Sequence, residues 1–385
     1  MNNAGQTPTT EDAPIEQLTD LTKILQTHLK LHAQRTTFIA AFVLAIIKVR
    51  IVQLPQIALA IPGKARDKSK EHRCYDFLTH FELDQTLIAR MVLAFFPTQL
   101  FPTLTLSMDR TDWKFGSQII NYLVIGIVYK GLAYPIVWVN LDKAGTSNTD
   151  ERIEIIETLL KLLPASRIGC LCADREFPSR VLLKFLNNQK IRFAIRSKDG
   201  VLITRNGCSL PVWQRYAHLK VGMSESTRQT VQVYDPKQKI RVRVHLCVLR
   251  LENQDLLVIL CDAKPASVLG RYKLRWNIEL LFGALKTRGF DFEKTHITDP
   301  DKTERLLSLV VIALVWCHRI GEFVSSVEPL AFKQTVGCTV LSVFRYGLDC
   351  LRGLLLTGDS RLISWVEALD LLRRPLSVLP AERQI

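Results

Sequence analysis

Between Pro102 and residue 199 the chain alternates strand-like and helical segments in an order that few folds can accommodate. The strand-like runs are apolar and rich in β-branched residues, as buried strands are. They are LTLSMD (104–109), NYLVIGIVYKG (121–131), AYPIVWVNLD (133–142), IGCLCAD (168–174) and IRFAIRS (191–197). Helical periodicity covers 149–163, where Thr149 is the expected capping residue, and 178–189. The order β, β, β, α, β, α, β predicts a hairpin followed by parallel strands that right-handed helical crossovers connect.

This order is the arrangement of the ribonuclease-H-like fold, and the flanking segments differ from it in character. Residues 14 to 97 show helical periodicity, including a long apolar helix expected over residues 36 to 54. Residues 200 to 263 carry strand signals only, and the chain from residue 302 onward is helical again. The sequence therefore predicts an α/β protein with a ribonuclease-H-like catalytic core, a β-rich insertion, and all-α N-terminal and C-terminal regions.

Two aspartates stand just past the carboxyl ends of predicted strands, where open α/β sheets expose functional groups. Asp109 follows the first strand and Asp174 the fourth. Either residue alone is more typical of a turn or a helix cap. Because the predicted topology makes the two strands neighbours, both carboxylates are expected in one site, with the clustered oxygen ligands that Mg²⁺ prefers.

A third carboxylate lies within a helical pattern that runs from Gly270 to Lys286. Arg275, Glu279 and Lys286 follow Tyr272 at offsets of 3, 7 and 14, which places all four on one narrow stripe of a regular α-helix. The buried face is expected to consist of Leu274, Ile278, Leu281 and Leu285. An exposed salt-bridged face, with Arg275 and Glu279 four residues apart, is the structural alternative for this stripe.

These motifs together resemble the DDE transposases of bacterial insertion sequences. Asp109 lies in DRTDW, Asp174 lies in ADREF, and the helix carries Tyr, Arg, Glu and Lys at the spacing of the Tyr-Arg-Glu-Lys signature group. That group is the IS-four family, which includes the transposase of the Tn-five element. The likeness covers most of residues 14 to 325, including the ALVWCHRIGE helix that follows the signature.

The resemblance implies a catalytic and metal-binding triad of Asp109, Asp174 and Glu279. Two Mg²⁺ ions, for which Mn²⁺ can substitute, would activate the attacking oxygen and stabilise the leaving one. Tyr272, Arg275 and Lys286 would hold DNA at the cleavage point. The implied function is cut-and-paste transposition, in which metal-dependent cleavage at the element ends frees a 3′-hydroxyl that then attacks target DNA.

Several alternatives stay open at this point. Relatives in the signature group pass through a DNA hairpin, which needs an unstacked terminus. Trp213 in the insertion would either stack on that terminus or belong to a core. Glu293 is a rival to Glu279, although it lies past Gly289 and beyond the expected helix end. A DNA-binding protein that no longer cleaves, or a metal-dependent nuclease without strand transfer, also fits the sequence.

An excess of positive charge favours a polyanionic partner, double-stranded DNA above all. The chain has 51 Lys and Arg against 37 Asp and Glu, a formal net charge of +14. KARDKSKEHR (64–73) is a basic turn that leads into a helix and is expected to contact phosphates. Its candidate residues are Lys64, Arg66, Lys68, Lys70 and Arg73. A solvated charged face is the alternative.

KIRVRVHL in the insertion alternates as a strand does. The pattern places Arg241, Arg243 and His245 on one face, opposite Ile240, Val242, Val244 and Leu246. Arg241 and Arg243 are therefore further candidates for phosphate contact, with an ordinary solvated strand face as the alternative.

The remaining sequence features concern location and assembly. The longest apolar runs, 38–47 and 306–316, are too short to cross a bilayer and predict buried helices. No membrane association is expected. The nine Cys lack paired CxxC spacing and predict reduced core thiols. Only the first dozen residues suggest a loose tail, and without a secretion signal we expect a cytoplasmic, nucleoid-associated protein.

Joining two element ends requires that they be held together, and the resemblance implies a homodimer when bound to DNA. The expected DNA partners are the terminal inverted repeats of the element and the target. YGLDCLRGLLL (346–356) would either form an apolar subunit interface or pack on the core of its own chain.

Five regions follow from these patterns. They are a helical N-terminal DNA-binding region (1–100), the first part of the core (101–199), the β-strand insertion (200–265), the catalytic helix with the end of the core (266–325), and a helical C-terminal region (326–385).

Overall fold

The computed structural model describes residues 13–115, 118–227, 229–235, 240–262, 267–333, 338–358 and 360–377. The chain forms two compact units that are interleaved in sequence. The first unit comprises Met1–Leu100, Trp113–Gln118 and Leu281–Ile385, and the second comprises Phe101–Asp112 and Ile119–Leu280. The expected N-terminal tail lies outside the described residues.

The described helices and strands have the following bounds. The α-helices are α1 Ala13–Leu29, α2 Ala33–Val49, α3 Leu54–Ala60, α4 Asp67–His80, α5 Gln85–Ala94, α6 Thr149–Leu162, α7 Arg180–Asn188, α8 Val212–Arg215, α9 Val268–Lys273, α10 Asn277–Leu285, α11 Pro300–Val327, α12 Val343–Thr357 and α13 Trp365–Arg373. The strands are β1 Leu104–Phe115, β2 Gln118–Tyr129, β3 Leu132–Asn140, β4 Ile168–Ala173, β5 Phe193–Ser197, β6 Leu202–Arg205, β7 Cys208–Pro211, β8 Ser224–Ser226, β9 Val231–Asp235, β10 Ile240–Arg250, β11 Leu256–Cys261, β12 Phe332–Lys333 and β13 Cys338–Thr339.

Helix α11 forms the centre of the first unit. It packs against α2, α4, α5, α12 and α13, and its residues from Leu306 to Gly321 are buried. The apolar run in α2 is likewise buried, so both predicted core helices are confirmed. The helix expected to reach residue 54 instead ends at Val49, because Arg50 adopts a left-handed conformation with φ of 59°.

Helix α11 also has the length and apolar character of a membrane span, and 89% of its most apolar window is buried inside the fold. Helices α1 and α2 reach that length only together, across a bend of 117°. Such burial is typical of the core helix of a packed domain.

The segment 346–356 lies in α12 and packs against α11. Gly347, Leu348, Leu351, Leu354 and Leu355 are buried there. Of the two alternatives for this segment, the structure therefore favours packing within the chain over an apolar subunit interface. The short strands β12 and β13 lie in the region that the sequence pattern predicted to be helical.

The second unit is built on one 11-stranded sheet of the described strands. Its order is β3-β2-β1-β4-β5-β11-β10-β9-β6-β7, and β8 pairs with β10. Strands β1, β4 and β5 are parallel neighbours, and β2 and β3 form an antiparallel hairpin. The predicted hairpin and the predicted adjacency of the first and fourth strands are confirmed.

The strands predicted for residues 200–265 continue this same sheet, because β11 pairs with β5 in the antiparallel sense. The sequence pattern missed β7, β8 and the short helix α8 in this stretch. Helices α6 and α7 contact each other and pack against β3 and β10 respectively. Asn148, and not the predicted Thr149, caps α6, because its side chain accepts from the Glu151 N–H in a capping box.

Candidate active site

The two strand aspartates lie side by side in the sheet. Strands β1 and β4 pair in parallel up to Met108 and Ala173, and the next residues are Asp109 and Asp174. Asp174 follows the last residue of β4, as the sequence predicted. Asp109 lies inside β1, because that strand continues beyond the apolar run to Phe115. The expected position at a strand end is therefore wrong for Asp109, although the expected proximity is confirmed.

The segment that carries the signature is not one regular α-helix. Helix α9 gives way to a 3₁₀ turn at Leu274–Trp276 before α10 begins. A 3₁₀ helix has about 3.0 residues per turn, whereas an α-helix has about 3.6. The side chains that precede the 3₁₀ turn are therefore rotated about the helix axis relative to those that follow it. Leu274 is 40% exposed instead of buried, whereas Tyr272 and Arg275 are each only 8% exposed. The expected buried face holds for Ile278, Leu281 and Leu285.

Arg275 joins two of the three candidate carboxylates. Its Nη1 donates to Asp109 Oδ2 over 2.9 Å, and its Nη2 donates to Glu279 Oε1 over 2.5 Å. The buried Ser107 hydroxyl on β1 donates to the Arg275 carbonyl over 3.2 Å and ties the 3₁₀ turn to the strand. The expected pair of Arg275 with Glu279 is present, but Arg275 is buried and also binds Asp109, and Glu279 is only partly exposed.

Tyr272 and Arg196 hold the third carboxylate. The Tyr272 hydroxyl donates to Asp174 Oδ1 over 3.3 Å, and Arg196 Nη1 lies 3.7 Å from the same oxygen. The Tyr272 ring packs into a buried cluster that includes Cys170, Cys172, Cys247 and Cys261. Apolar packing of the ring thus fixes the hydroxyl at the carboxylate.

Burial raises the pKa of the Asp109 carboxyl from its ordinary 3.8 to about 6. The negative charges of Asp174 and Glu176 act in the same direction, while the Arg110 backbone N–H and the Arg275 guanidinium oppose the rise. Burial lowers the pKa of Arg275, but the hydrogen bond to Glu279 and nearby negative charge, including that of Asp109, more than offset this. Burial, and then the charge of Asp174, raise the pKa of Tyr272, which stays a donor at neutral pH.

Carboxylate oxygens are the ligands that Mg²⁺ prefers, and Asp109, Asp174 and Glu279 each supply ligand atoms of this type. Burial is the main cause of the raised Asp109 pKa, and the negative charges of Asp174 and Glu176 add to it. A divalent cation at these carboxylates would offset that repulsion. As the described side chains are placed, no three His, Cys, Asp or Glu groups surround one common metal position. The guanidinium of Arg275 stands between Asp109 and Glu279 instead.

Lys286 and Glu293 belong to the first unit and pair with each other. Lys286 follows the end of α10, and its Nζ lies 2.9 Å from Glu293 Oε1. Glu279, by contrast, shares Arg275 with Asp109. The geometry therefore favours Glu279 over Glu293 as the partner of the two aspartates.

The N-terminal basic segment 64–73 is divided between exposed and structural roles. Lys64, Arg66 and Lys68 are exposed at the start of α4. Lys70 is buried, with Nζ 4.0 Å from Asp67, and Arg73 lies over the Phe38 ring at 5.5 Å. Arg73 is exposed as well. Lys64, Arg66, Lys68 and Arg73 therefore remain candidates for phosphate contact, whereas packing accounts for the buried Lys70.

Arg241 and Arg243 are exposed on β10, on the face opposite Val242 and Val244, as the alternation predicted. His245 is buried, against the expected exposed face. The two arginines line an open cavity of about 600 Å³ with Arg205, and its other lining residues are uncharged polar or Gly. Trp213 is 52% exposed, so it does not belong to a core.

Sequence reasoning missed Arg196 and Glu176 at the candidate site. Glu176 lies within ADREF, only two residues past Asp174, and this spacing could have indicated it. Arg196 is the last residue but one of β5, and its sequence context gives no sign of a functional role. Only the parallel pairing of β4 with β5 brings it to Asp174.

Comparison with known proteins adds to this geometry. A family model described as the transposase DDE domain matches residues 102–316, which is more than half of the 385 residues and contains Asp109, Asp174 and Glu279. No curated protein shows a significant match. A cryo-EM structure of a piggyBac transposase synaptic complex with hairpin DNA is similar at a TM-score of 0.44 and 11% identity, over 97% of this chain and 89% of that chain. A TM-score at that level is too low to establish a common fold. On the family match, the chain belongs to the transposase DDE domain family.

Proposed function

We propose that the protein is a cut-and-paste transposase of the IS-four family that cleaves DNA at element ends and joins the freed 3′ ends to target DNA. The observation that carries this proposal is the convergence of Asp109, Asp174 and Glu279 with Tyr272 and Arg275 in one unit of a DDE-domain chain. The parallel β1, β4 and β5 beside a β2–β3 hairpin support a ribonuclease-H-like core.

Asp109, Asp174 and Glu279 would hold the divalent ions, two Mg²⁺ or Mn²⁺. When bound, such ions activate the attacking oxygen and stabilise the leaving oxygen of an in-line displacement. In the described arrangement Arg275 donates hydrogen bonds to both Asp109 and Glu279, and its one positive charge offsets part of their negative charge. If these carboxylates held the ions, the Arg275 guanidinium would be released from them and would be free to donate to a phosphate oxygen.

The same residues serve each chemical step, because every step is a displacement at phosphorus. Water attacks the phosphodiester at the element end, the P–O3′ bond breaks, and the leaving 3′ oxygen takes up a proton. The 3′-hydroxyl then attacks a phosphodiester, either in the opposite strand to form a hairpin or in the target. The P–O3′ bond of the attacked strand breaks, and its leaving 3′ oxygen takes up the proton that the attacking hydroxyl loses. The exposed Trp213 is available to stack on an unpaired base in the hairpin route.

The proposed partners are the terminal inverted repeats and the target DNA, with two subunits assembled on two ends. In this proposal Tyr272, Arg275 and Lys286 hold the DNA strands for cleavage. Further phosphate contacts come from Lys64, Arg66, Lys68, Arg73, Arg241 and Arg243. The proposed location is the cytoplasm, at the nucleoid.

Incubation of the protein with the genomic DNA that flanks its own gene, in Mg²⁺, tests the proposal. We expect cuts at two positions in inverted sequence around the gene, each with a 3′-hydroxyl, and none with Asp109→Asn. Binding without any cut in Mg²⁺ or Mn²⁺ would support a non-cleaving DNA-binding protein instead. Cuts that are never followed by joining would support a nuclease.

A further inference from the structure

A basic cleft of about 980 Å³ opens beside the candidate carboxylates in the second unit. It begins at Arg175, the residue after Asp174, and its lining includes Glu176, Arg180, Lys198, Thr146 and Ser197. We propose that this cleft holds the phosphodiester backbone of the DNA strand that leads into the cleavage site. The inference rests on the proposed function, and it adds a DNA-binding site beyond the residues for which the sequence predicted DNA contact.

The charges that line the cleft suit a polyanion. Three cations, Arg175, Arg180 and Lys198, line it against the single carboxylate of Glu176, which lies 3.6 Å from the Arg110 guanidinium. Within the described ranges, none of these three cations forms an ion pair with a carboxylate. The Nε atom of Arg180 is buried and has no hydrogen-bond partner among the described residues. Phosphate oxygens would supply the acceptors that these donors require.

The walls of the cleft are fixed by buried hydrogen bonds. Arg152 donates from Nε to Ser147 Oγ over 2.8 Å and from Nη1 to the Phe177 carbonyl over 3.0 Å, so one side chain holds both facing loops. The buried Asn121 amide donates to the Lys143 and Gly145 carbonyls, over 2.8 and 3.0 Å, and secures the loop that precedes Ser147. A cleft with such fixed walls binds without a large ordering cost.

The position of the cleft identifies the part of the DNA that it would take. Arg175 is adjacent in sequence to Asp174, and Ser197 follows Arg196, whose guanidinium lies 3.7 Å from Asp174. A phosphate bound in the cleft is therefore a near neighbour of the phosphate at the carboxylates. The cavity in the first unit is less suitable, because Glu322, Glu367 and Asp370 line it together with Arg319 and Arg374.

The test compares three full-length proteins: the wild type, a cleft variant (Arg175→Gln, Arg180→Gln, Lys198→Gln) and a matched control (Lys184→Gln, Lys190→Gln, Arg192→Gln). The control also removes three positive charges, all from exposed side chains. Lys184 lies on α7, Lys190 follows the C-terminal end of α7, and Arg192 precedes β5. Lys190 and Arg192 are therefore at the ends of α7 and β5 that do not line the cleft. Affinity for a generic DNA duplex is measured across a salt titration. We expect the slope of log K against log salt to fall by about 2 to 3 in the cleft variant, because each lost phosphate contact removes about 0.9. The control should keep the wild-type slope.

That change in slope means that raising the salt from about 50 to about 200 mM weakens wild-type binding roughly 40-fold more than it weakens the cleft variant. An unchanged slope in the cleft variant, or an equal fall in the control, overturns the inference. Thermal melting checks that the variants fold. If the triple variant does not fold, Arg175→Gln with Lys198→Gln, both at exposed positions, replaces it with an expected fall of about 2.

Neutral methylphosphonates near the mapped cut then locate the contact. A single neutral phosphate should weaken binding of the wild type and leave the cleft variant unaffected, and equal sensitivity in both proteins would overturn the placement beside the cut. Wild-type protein that binds DNA but never cleaves it contradicts the proposed function and leaves the salt comparison intact. The two failures are therefore distinguishable.

Discussion

At the scale of single residues, Arg275 determines the character of the candidate site. Its guanidinium is buried and hydrogen-bonded to both Asp109 and Glu279, so its one positive charge is shared between two carboxylates. The sequence predicted the residue types of this site because three short motifs carry them. It also predicted the pair of Arg275 with Glu279, but not the contacts with the aspartates, since Tyr272 and Arg196 reach Asp174 only through packing and strand pairing.

Asp109→Asn is expected to stabilise the metal-free protein at alkaline pH. The folded pKa of Asp109, about 6, lies above its ordinary 3.8. The favourable contribution of this group is therefore present below about pH 4 and is lost as the pH rises through 6. Asn carries no charge at any pH. The free energy of unfolding of the variant, minus that of wild type, should therefore be larger at pH 8 than at pH 4 by on the order of 1 to 3 kcal/mol.

Denaturant unfolding at the two pH values, in the presence of a chelator, measures this difference. Asp112→Asn is the control, because it removes an exposed carboxylate from the same strand. A stability difference between Asp109→Asn and wild type that does not change with pH would contradict the raised pKa of Asp109.

At the scale of helices and strands, the sequence predicted what depends on local pattern. The apolar runs of β1 to β5 and the amphipathic patterns of α6 and α7 are all present near their expected positions. The 3₁₀ turn at Leu274–Trp276 was not predicted, because the spacing of the signature residues is also compatible with a regular α-helix. Tertiary contacts such as the hydrogen bond from Ser107 stabilise the turn, and the hydrophobic periodicity of the sequence does not reveal such contacts.

The crossing of α11 and α12 depends on two glycines that face each other. A Cβ on Gly321 would overlap the Val343 carbonyl, and one on Gly347 would overlap the Cys317 carbonyl. Because backbone atoms cannot yield as a flexible side chain does, Gly321→Ala or Gly347→Ala should destabilise the fold by about 2 kcal/mol or more.

Gly353 provides the matched control on the same helix. Nothing lies within 4 Å of a Cβ at that position, so Gly353→Ala should stabilise the protein by about 0.5 to 1 kcal/mol through helix propensity. Thermal or denaturant unfolding of the three variants decides the matter. Similar effects at all three glycines would show that close helix contact is not the reason for Gly321 and Gly347.

At the scale of the whole molecule, the long-range arrangement was the least predictable part. The first unit combines residues before Leu100 with residues after Leu281, and α11 supplies the core on which α2 packs. A sequence pattern has no information about such pairings across the chain. The N-terminal helices therefore lack much of their core in a fragment of residues 1–100, and DNA binding is better tested in the full chain.

Loss of the exposed charges in the 64–73 segment should weaken DNA binding in a salt-dependent way. The variant Lys64→Gln, Arg66→Gln, Lys68→Gln is expected to lower the salt slope by about 2 to 3. The control variant, Lys23→Gln, Lys30→Gln, Arg90→Gln, removes the same charge at other exposed positions of the first unit. Equal slopes in the two variants would show that the segment is an ordinary solvated face.

Binding of element-end DNA should bring two protein subunits together in one complex. We expect free protein to be monomeric or weakly dimeric, and a complex of two subunits with two element ends once end DNA is present, since joining requires both ends together. Mass photometry or analytical ultracentrifugation with and without end DNA measures this. Cleavage by a single subunit on a single end would contradict the dimer.

Strand transfer from a pre-cut element end tests the central claim most directly. An end fragment that already carries a free 3′-hydroxyl is incubated with supercoiled plasmid and Mg²⁺. Wild-type protein should join the fragment to the plasmid, Glu279→Gln should form no joined product while it binds the end with nearly wild-type affinity, and Glu293→Gln should join normally. Joining by Glu279→Gln at the wild-type rate, or no joining by wild-type protein that binds and cuts the same ends, would contradict the assignment of Asp109, Asp174 and Glu279 as the centre of a transposase.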